Sequence, residues 1–339
     1  MTSAPASIRW IDDGEKYGLV ALSVKVEGDI PPGSITPNLC VLTDTTFPVA
    51  TLWREWLGSI RTDQIEACNL FLFAKLSSLA PDIDDDENKS LSQRAQNFYV
   101  GFLLASTFAP AHDPVLLTGS RQGGKIDIRE QRDLDCPDLH PYPPVVPEHV
   151  RIAAQLGENL QTLPTTPLPG GGPWRLFRTL HVYREARSLS QIIDRLHQYC
   201  RCIEGLILPD TGQTKKQFKG RTELFIGPRH HDMMDEIYDV RSAVEHLQEN
   251  RYLETFDRPT RLDLLKKTTI AEHIARTALA RIIGQPSLWP HFANTSALAQ
   301  FWSRPTAERE KIWGHPIDPM QAVADFDPKY IHDGLLGAE

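Results

Sequence analysis

Two proline-rich stretches in the middle of the chain constrain its fold more than any other feature. They are CPDLHPYPPVVP at 136–147 and LPTTPLPGGGP at 163–173. Proline removes a backbone donor and glycine costs backbone entropy, so neither stretch suits the interior of a helix or strand. A short helical pattern, EHVRIAAQLGENL, lies between them. We therefore predict two domains, comprising residues 1–165 and 166–339.

The first domain combines strand and helix patterns. GLVALSVKVEG (18–28) alternates and is rich in β-branched residues, and NLCVLT (38–43) is similar, so both are predicted strands. Residues 62–79 and 92–108 are predicted to be buried helices. GSRQGGKI (119–126) has the spacing of a phosphate-binding loop, but it lacks the following Ser or Thr and leads into a strand pattern. We predict a hairpin over 113–130 instead, and an α+β fold for the first domain.

The second domain is helical throughout. Apolar residues three and four apart mark one buried face in each of five segments. The segments are 174–188, 189–208, 214–226, 231–249 and 264–283. Short connections favour antiparallel neighbours, which predicts an all-α bundle with a C-terminal helical extension. The whole chain is predicted to be mainly α.

Charge and cysteine content limit the partners and the cellular compartment that we expect. The net charge is −8, but it divides into −9 for residues 1–169, +4 for 170–285 and −3 for 286–339. Only the middle segment permits contact with phosphates. The five cysteines are odd in number and form no CxxC, which favours a reducing compartment. With no run of eighteen apolar residues and no leader pattern in MTSAPASIRW, we expect a cytoplasmic protein without membrane contact.

The stretch YDVRSAVEH (238–246) is the main candidate for chemistry. Met233, Ile237, Val240, Val244 and Leu247 have the spacing of a packing seam, and Arg241 and His246 would flank it on opposite sides. In one interpretation both are exposed polar residues, and Arg241 forms a surface ion pair with Glu245. In the other, they stand at the mouth of a groove that a second copy of the chain closes.

The second interpretation suits RNA cleavage. Arginine holds a phosphate and offsets the charge that develops on it, and histidine transfers protons near neutral pH. The ribose 2′-OH is then the nucleophile, and no metal or other cofactor is needed. Ser242, four residues before His246, could orient the imidazole.

Residues 174–285 resemble the HEPN superfamily, in particular its Apea-like domains. Three segments carry the resemblance: RLHQYCRCIEGLIL with Glu204, KKQFKGRTELFIG with Arg221, and IYDVRSAVEH with the Arg241–His246 signature. The resemblance implies a helical bundle that dimerises, and it implies that residues 1–165 are a variable N-terminal domain that acts as a sensor or target reader. In active members it also implies a metal-independent endoribonuclease in bacterial defence or toxin systems, whose composite site takes Arg and His from both subunits. Arg241 would then bind the scissile phosphate, and His246 would act in acid–base catalysis.

The expected partners are therefore RNA (tRNA or mRNA), a second copy of the chain and a regulatory protein. Lys215, Lys216, Lys219 and Arg221 form a basic run that could contact an RNA backbone, although a solvated helical face is the alternative. Glu245 would repel a phosphodiester. It favours a rival function, that of a non-catalytic HEPN module for dimerisation or for nucleotide or RNA binding, regulated by the first domain.

Overall fold

The computed structural model describes residues 10–43, 47–49, 53–78, 80, 83–134, 143–163, 174–246 and 257–331. They form two compact units, and the chain passes from the first to the second between Thr162 and Leu163. The first unit is α+β and the second is all-α, so the predicted fold class is confirmed. Residues 164–173 of the second proline-rich stretch lie outside the described residues.

The first unit is a six-stranded antiparallel sheet with three helices. In chain order the elements are β1 (Glu15–Leu22), β2 (Gly33–Ser34), β3 (Leu39–Thr43), α1 (Trp53–Glu66), β4 (Leu70–Ser77), α2 (Asp86–Ala105), β5 (Val115–Gln122), β6 (Lys125–Asp133) and α3 (Pro147–Thr162). The strand order is β2-β3-β4-β1-β5-β6. The predicted hairpin at 113–130 is confirmed as β5 and β6, which turn at Gly123 and Gly124.

The two faces of the central strand β1 pack against different parts of the unit. On one face Tyr17 joins an aromatic core with Trp10 and Phe73, and Trp53 of α1 belongs to the same cluster. On the other face Gly18 lies directly under α2, where a Cβ would come within 2.5 Å of the Leu91 carbonyl oxygen. Because β1 is covered on both faces, its residues are buried almost without interruption.

The predicted helix at 62–79 is wrong. Helix α1 ends at Glu66, and the apolar run that follows is strand β4, which pairs with both β1 and β3. Asn69 lies between the end of α1 and the start of β4. Its side-chain amide donates to the Val24 carbonyl at 2.7 Å, and its Oδ1 accepts from the Val24 N–H at 2.9 Å. These two bonds join Asn69 to the backbone just beyond the end of β1, at the point where β4 begins to pair with it.

The second unit contains α4 (Trp174–Ser188), α5 (Ile192–Ile207), α6 (Thr214–Ile226), α7 (His231–Glu245), α8 (Arg258–Gly284), α9 (Trp289–Phe292), α10 (Thr295–Ser303) and α11 (Thr306–Trp313). Helix α5 is central and packs against α4, α6, α7 and α8. Its thiols, Cys200 and Cys202, are fully buried. The predicted helices at 174–188 and 214–226 are confirmed to the residue. Residues 247–249 of the predicted 231–249 helix lie outside the described part.

The C-terminal helices attach to the bundle through aromatic residues. The Trp302 indole N–H donates to the Leu206 carbonyl at 3.1 Å, and the rings of Phe225 and Trp313 are 4.6 Å apart. These contacts bury large apolar surface, and the indole donor of Trp302 is satisfied. Within the described ranges, no helix combines the length and the apolar content needed to cross a bilayer.

Candidate active site on helices α5 and α7

Helices α5 and α7 pack against each other, and the polar residues of interest lie along their contact. Helix α5 buries Leu196, Ile203 and other apolar residues against the bundle. His197 and Glu204, seven positions apart and thus two turns apart on one helical face, lie toward α7. This spacing gives α5 a polar row beside its apolar face, and α7 supplies the partners.

Arg241 lies in the packing face of α7 rather than beside it. One guanidinium nitrogen, Nη2, is 3.0 Å from Oε2 of Glu204, and both side chains are only about one-seventh exposed (15% and 14%). The guanidinium also stands over the Tyr238 ring, 5.7 Å from its centroid. A part-buried cation is tolerated there because Glu204 supplies the opposite charge.

The predicted packing seam is only partly correct: Ile237 is buried as predicted, but the other described residues of the seam are not. The structure buries Met234, Ile237 and Ala243 on α7, whereas Met233, Val240 and Val244 are only partly buried. Leu247, the last residue of the predicted seam, lies outside the described residues. Arg241 therefore faces α5 and does not flank an apolar seam.

Glu245 connects Arg241 to a histidine of the neighbouring helix. Its Oε2 is 3.7 Å from Nη1 of Arg241 and 2.5 Å from Nε2 of His197. The hydrogen bond with His197, followed by the charge of Arg241, holds the pKa of the Glu245 carboxyl below its ordinary value. Glu204, Arg241, Glu245 and His197 thus form one continuous chain of alternating acidic and basic groups across two helices.

His246 and Ser242 have a different environment. His246 is exposed at the end of α7, and its backbone N–H donates to the Ser242 carbonyl at 3.1 Å. Between these two described residues the side chains make no hydrogen bond, so the predicted orienting contact from the Ser242 hydroxyl is not present. The structure brings Arg241 to the contact of α5 and α7 and leaves His246 at its solvent edge.

The basic run of α6 serves mainly as a set of interhelical ion pairs. Lys215 Nζ lies 2.6 Å from Oδ1 of Asp239 and 3.3 Å from Oδ2 of Asp235, and Lys219 Nζ lies 2.7 Å from Oδ1 of Asp235. Arg221 donates to the Ile207 carbonyl at 2.8 Å and so caps the end of α5. Lys216 is exposed and has no ion-pair partner within the described ranges.

Two atoms of the site are left without hydrogen bonds. Oε1 of Glu204 and Nε of Arg241 are buried and have no partner in the part of the chain that the structure describes. An unmade hydrogen bond to a buried charged group is costly, but among the described residues the Nε atoms of Arg94, Arg121 and Arg175, which lie outside this site, also lack a hydrogen-bond partner. Across the same residues, no three His, Cys, Asp or Glu side chains are grouped so that they could hold a metal ion.

Sequence reasoning found Arg241 and His246 from their spacing and Glu204 from the resemblance, but it missed His197. The signal was present as HQYCRCIE, in which a histidine and a glutamate lie on one face of α5. The pairing of His197 with Glu245 joins residues 48 positions apart and depends on how two helices cross.

The chain was compared with protein-family models, with curated proteins and with solved structures, and none of them matches it.

Proposed function

We propose that this chain is a metal-independent endoribonuclease of the HEPN type, acting in the cytoplasm in a bacterial defence or toxin system. Its composite site would take Arg241 and His246 from two copies of the chain. The observation that carries the proposal is the position of Arg241, part-buried between two carboxylates at the contact of α5 and α7. The order of α5, α6 and α7, with Glu204, Arg221 and Arg241 in turn, supports it.

In the proposed reaction a phosphodiester takes the place of Glu245 on Arg241. Glu245 is the easier of the two carboxylates to displace, because its contact is longer than that of Glu204 (3.7 against 3.0 Å) and its side chain is 47% exposed. The ribose 2′-OH then attacks phosphorus, and Arg241 offsets the charge that develops on the equatorial oxygens. His246 takes part in the proton transfers. The products are a 2′,3′-cyclic phosphate and a 5′-hydroxyl.

A second function is favoured by the same contacts. Two carboxylates already neutralise Arg241, and the carboxylates of Asp235 and Asp239 hold Lys215 and Lys219. Among the described residues of α5, α6 and α7, the exposed lysine and arginine side chains that form no ion pair with a carboxylate are Lys216 and Arg201. A non-catalytic HEPN module would have these properties if it dimerised or bound nucleotides or RNA under control of the first unit.

The first experiment incubates wild type, Arg241→Lys and His246→Ala with total RNA in excess EDTA. Arg241→Lys keeps the charge but loses the planar two-nitrogen contact, so it tests phosphate recognition with little risk to folding. Arg304→Ala is the matched control, because Arg304 makes a similar i,i+4 pair with Glu308 on the surface at 3.4 Å.

We expect wild type and Arg304→Ala to cleave the RNA and leave 2′,3′-cyclic phosphate ends. We expect Arg241→Lys and His246→Ala to lose this cleavage. Wild-type cleavage by His246→Ala would contradict the assignment of His246. No cleavage by wild type would favour the non-catalytic module.

A further inference from the structure

The site contains a histidine–carboxylate pair that the proposed reaction does not use. Nε2 of His197 is 2.5 Å from Oε2 of Glu245. A carboxylate only accepts hydrogen bonds, so the ring nitrogen facing it carries the proton. In the neutral imidazole the lone pair is therefore on Nδ1, and within the described residues the contact with Glu245 is the only side-chain hydrogen bond of His197. This is the arrangement of a base that a carboxylate orients.

The imidazole and the guanidinium lie close together. Nη1 of Arg241 and Nε2 of His197 both contact Oε2 of Glu245. The distance between the two nitrogens therefore cannot exceed the sum of their distances to that oxygen. A phosphate held by Arg241 would thus bring its adjoining ribose near His197. His197 and Arg241 are each 15% exposed, so both would act in a largely desolvated environment where electrostatic contacts are strong.

His246 has none of these features. It is exposed at the end of α7, and no described side chain orients its ring. A general base must be held within reach of the proton that it removes, and an unrestrained ring spends little time in the required position. The two histidines thus differ in preorganisation, and the difference favours His197 for the first proton transfer.

We propose that His197, oriented by Glu245, is the general base that removes the 2′-OH proton; this rests on the ribonuclease function proposed above. The O2′–P bond forms as the P–O5′ bond breaks. The 2′-OH proton goes to Nδ1 of His197, and the departing 5′-oxygen takes a proton from His246 or from water. The phosphate replaces Glu245 as the partner of Arg241, and Glu245 keeps its shorter contact with His197.

The test uses the full-length protein, with His197→Gly as the variant and an RNA whose scissile 5′-oxygen is replaced by sulfur as a second substrate. A sulfur leaving group needs no proton, so it restores cleavage when a general acid is lost but not when a general base is lost. Added imidazole can occupy the space of the missing ring and act as the base. His181→Gly is the matched control, because His181 makes a similar contact with Glu185 at 3.1 Å on α4.

We expect His197→Gly to lose about 10²- to 10⁴-fold in cleavage rate. Imidazole should restore part of this loss and the sulfur substrate should not, while His181→Gly should cleave like wild type. Wild-type cleavage by His197→Gly, rescue by the sulfur substrate or failure of imidazole would each overturn the role of His197 while leaving the ribonuclease function in place. Absence of cleavage by wild type would instead overturn both.

Discussion

At the scale of single residues, the second unit contains a buried charge network that has no part in the candidate site. Glu272 of α8 is 7% exposed in its side chain and accepts from Tyr183 Oη at 2.8 Å and from Arg276 Nε at 3.0 Å. Burial, followed by the charge of Glu272, raises the pKa of Tyr183 well above its ordinary value. Tyr183 therefore remains a neutral donor, and the Glu272 carboxylate is satisfied by its two partners.

We predict that Glu272→Ala lowers the free energy of unfolding by about 3 kcal/mol, because it removes the counter-charge of the partly buried Arg276 and the acceptor of the buried Tyr183 hydroxyl. Urea unfolding followed by circular dichroism measures the change. Glu308→Ala is the control, since the pair of Glu308 with Arg304 is exposed and contributes little. A loss no larger than that of the control would show that Arg276 finds another partner.

Residue-level prediction from the sequence succeeded where the signal was local. The spacing of Arg241 and His246 belongs to one helix and could be found in a short stretch. The pair of Arg241 with Glu245, four residues on, was likewise predictable and is present at 3.7 Å. The contact of Arg241 with Glu204, 37 positions away, and that of Glu245 with His197, 48 positions away, do not follow from spacing along one helix. The buried face of α7 was misplaced for the same reason. Apolar spacing alone favoured Met233, whereas pairing across α5 determines which side of the helix faces inward.

At the scale of helices and strands, the presence of a helical apolar period separated the correct predictions from the wrong one. Helices α4 to α8 have enough turns for a 3.6-residue period to be recognised. The segment TDQIEACNLFLFAKLSSL contains the end of α1 and all of β4, and its continuous apolar run fits a buried strand as well as a buried helix. Only the partners of β4 in the sheet, β1 and β3, distinguish the two, and a single segment does not contain that information.

The close packing of α2 on α3 gives the second prediction. A Cβ on Gly101 would lie 2.2 Å from the Ala153 carbonyl oxygen, so Gly101→Ala forces the helices apart. Overpacking of this kind costs about 1–3 kcal/mol. Gly220 of α6 has open space around the corresponding position, so Gly220→Ala should stabilise the protein by about 0.5–1 kcal/mol through helix propensity. Thermal unfolding of the two variants should shift in opposite directions; equal shifts would contradict the packing argument.

At the scale of the whole molecule, stability should depend on pH in two separate ranges. Burial, followed by the charge of Arg276, lowers the pKa of His273, although Glu272 and Asp318 oppose the shift. The unfolded chain then binds a proton more readily than the folded chain, so stability falls as the pH drops below about 6.5. Ion-paired carboxylates such as Asp85, Asp235 and Glu245 have lowered pKa values. Their contribution is present above about pH 4 and is lost as the pH falls further.

Melting temperatures measured between pH 8 and pH 3 test this prediction. The wild-type curve should decline in two steps, the first beginning as the pH falls below about 6.5 and the second as it falls below about 4. His273→Gln should flatten the first step and leave the second unchanged, because glutamine does not titrate. If the variant retained the full first step, a histidine other than His273 would be responsible for it.

The buried thiols of α5 have a practical consequence. Cys200 and Cys202 have no exposed surface, and burial raises their pKa values above the ordinary value for a thiol, so neither is reactive while α5 is packed. A maleimide added at neutral pH can modify them only after the helix has separated from its neighbours. The rate of that modification therefore reports how often α5 opens, and with it how often His197 and Glu204 leave the positions described above.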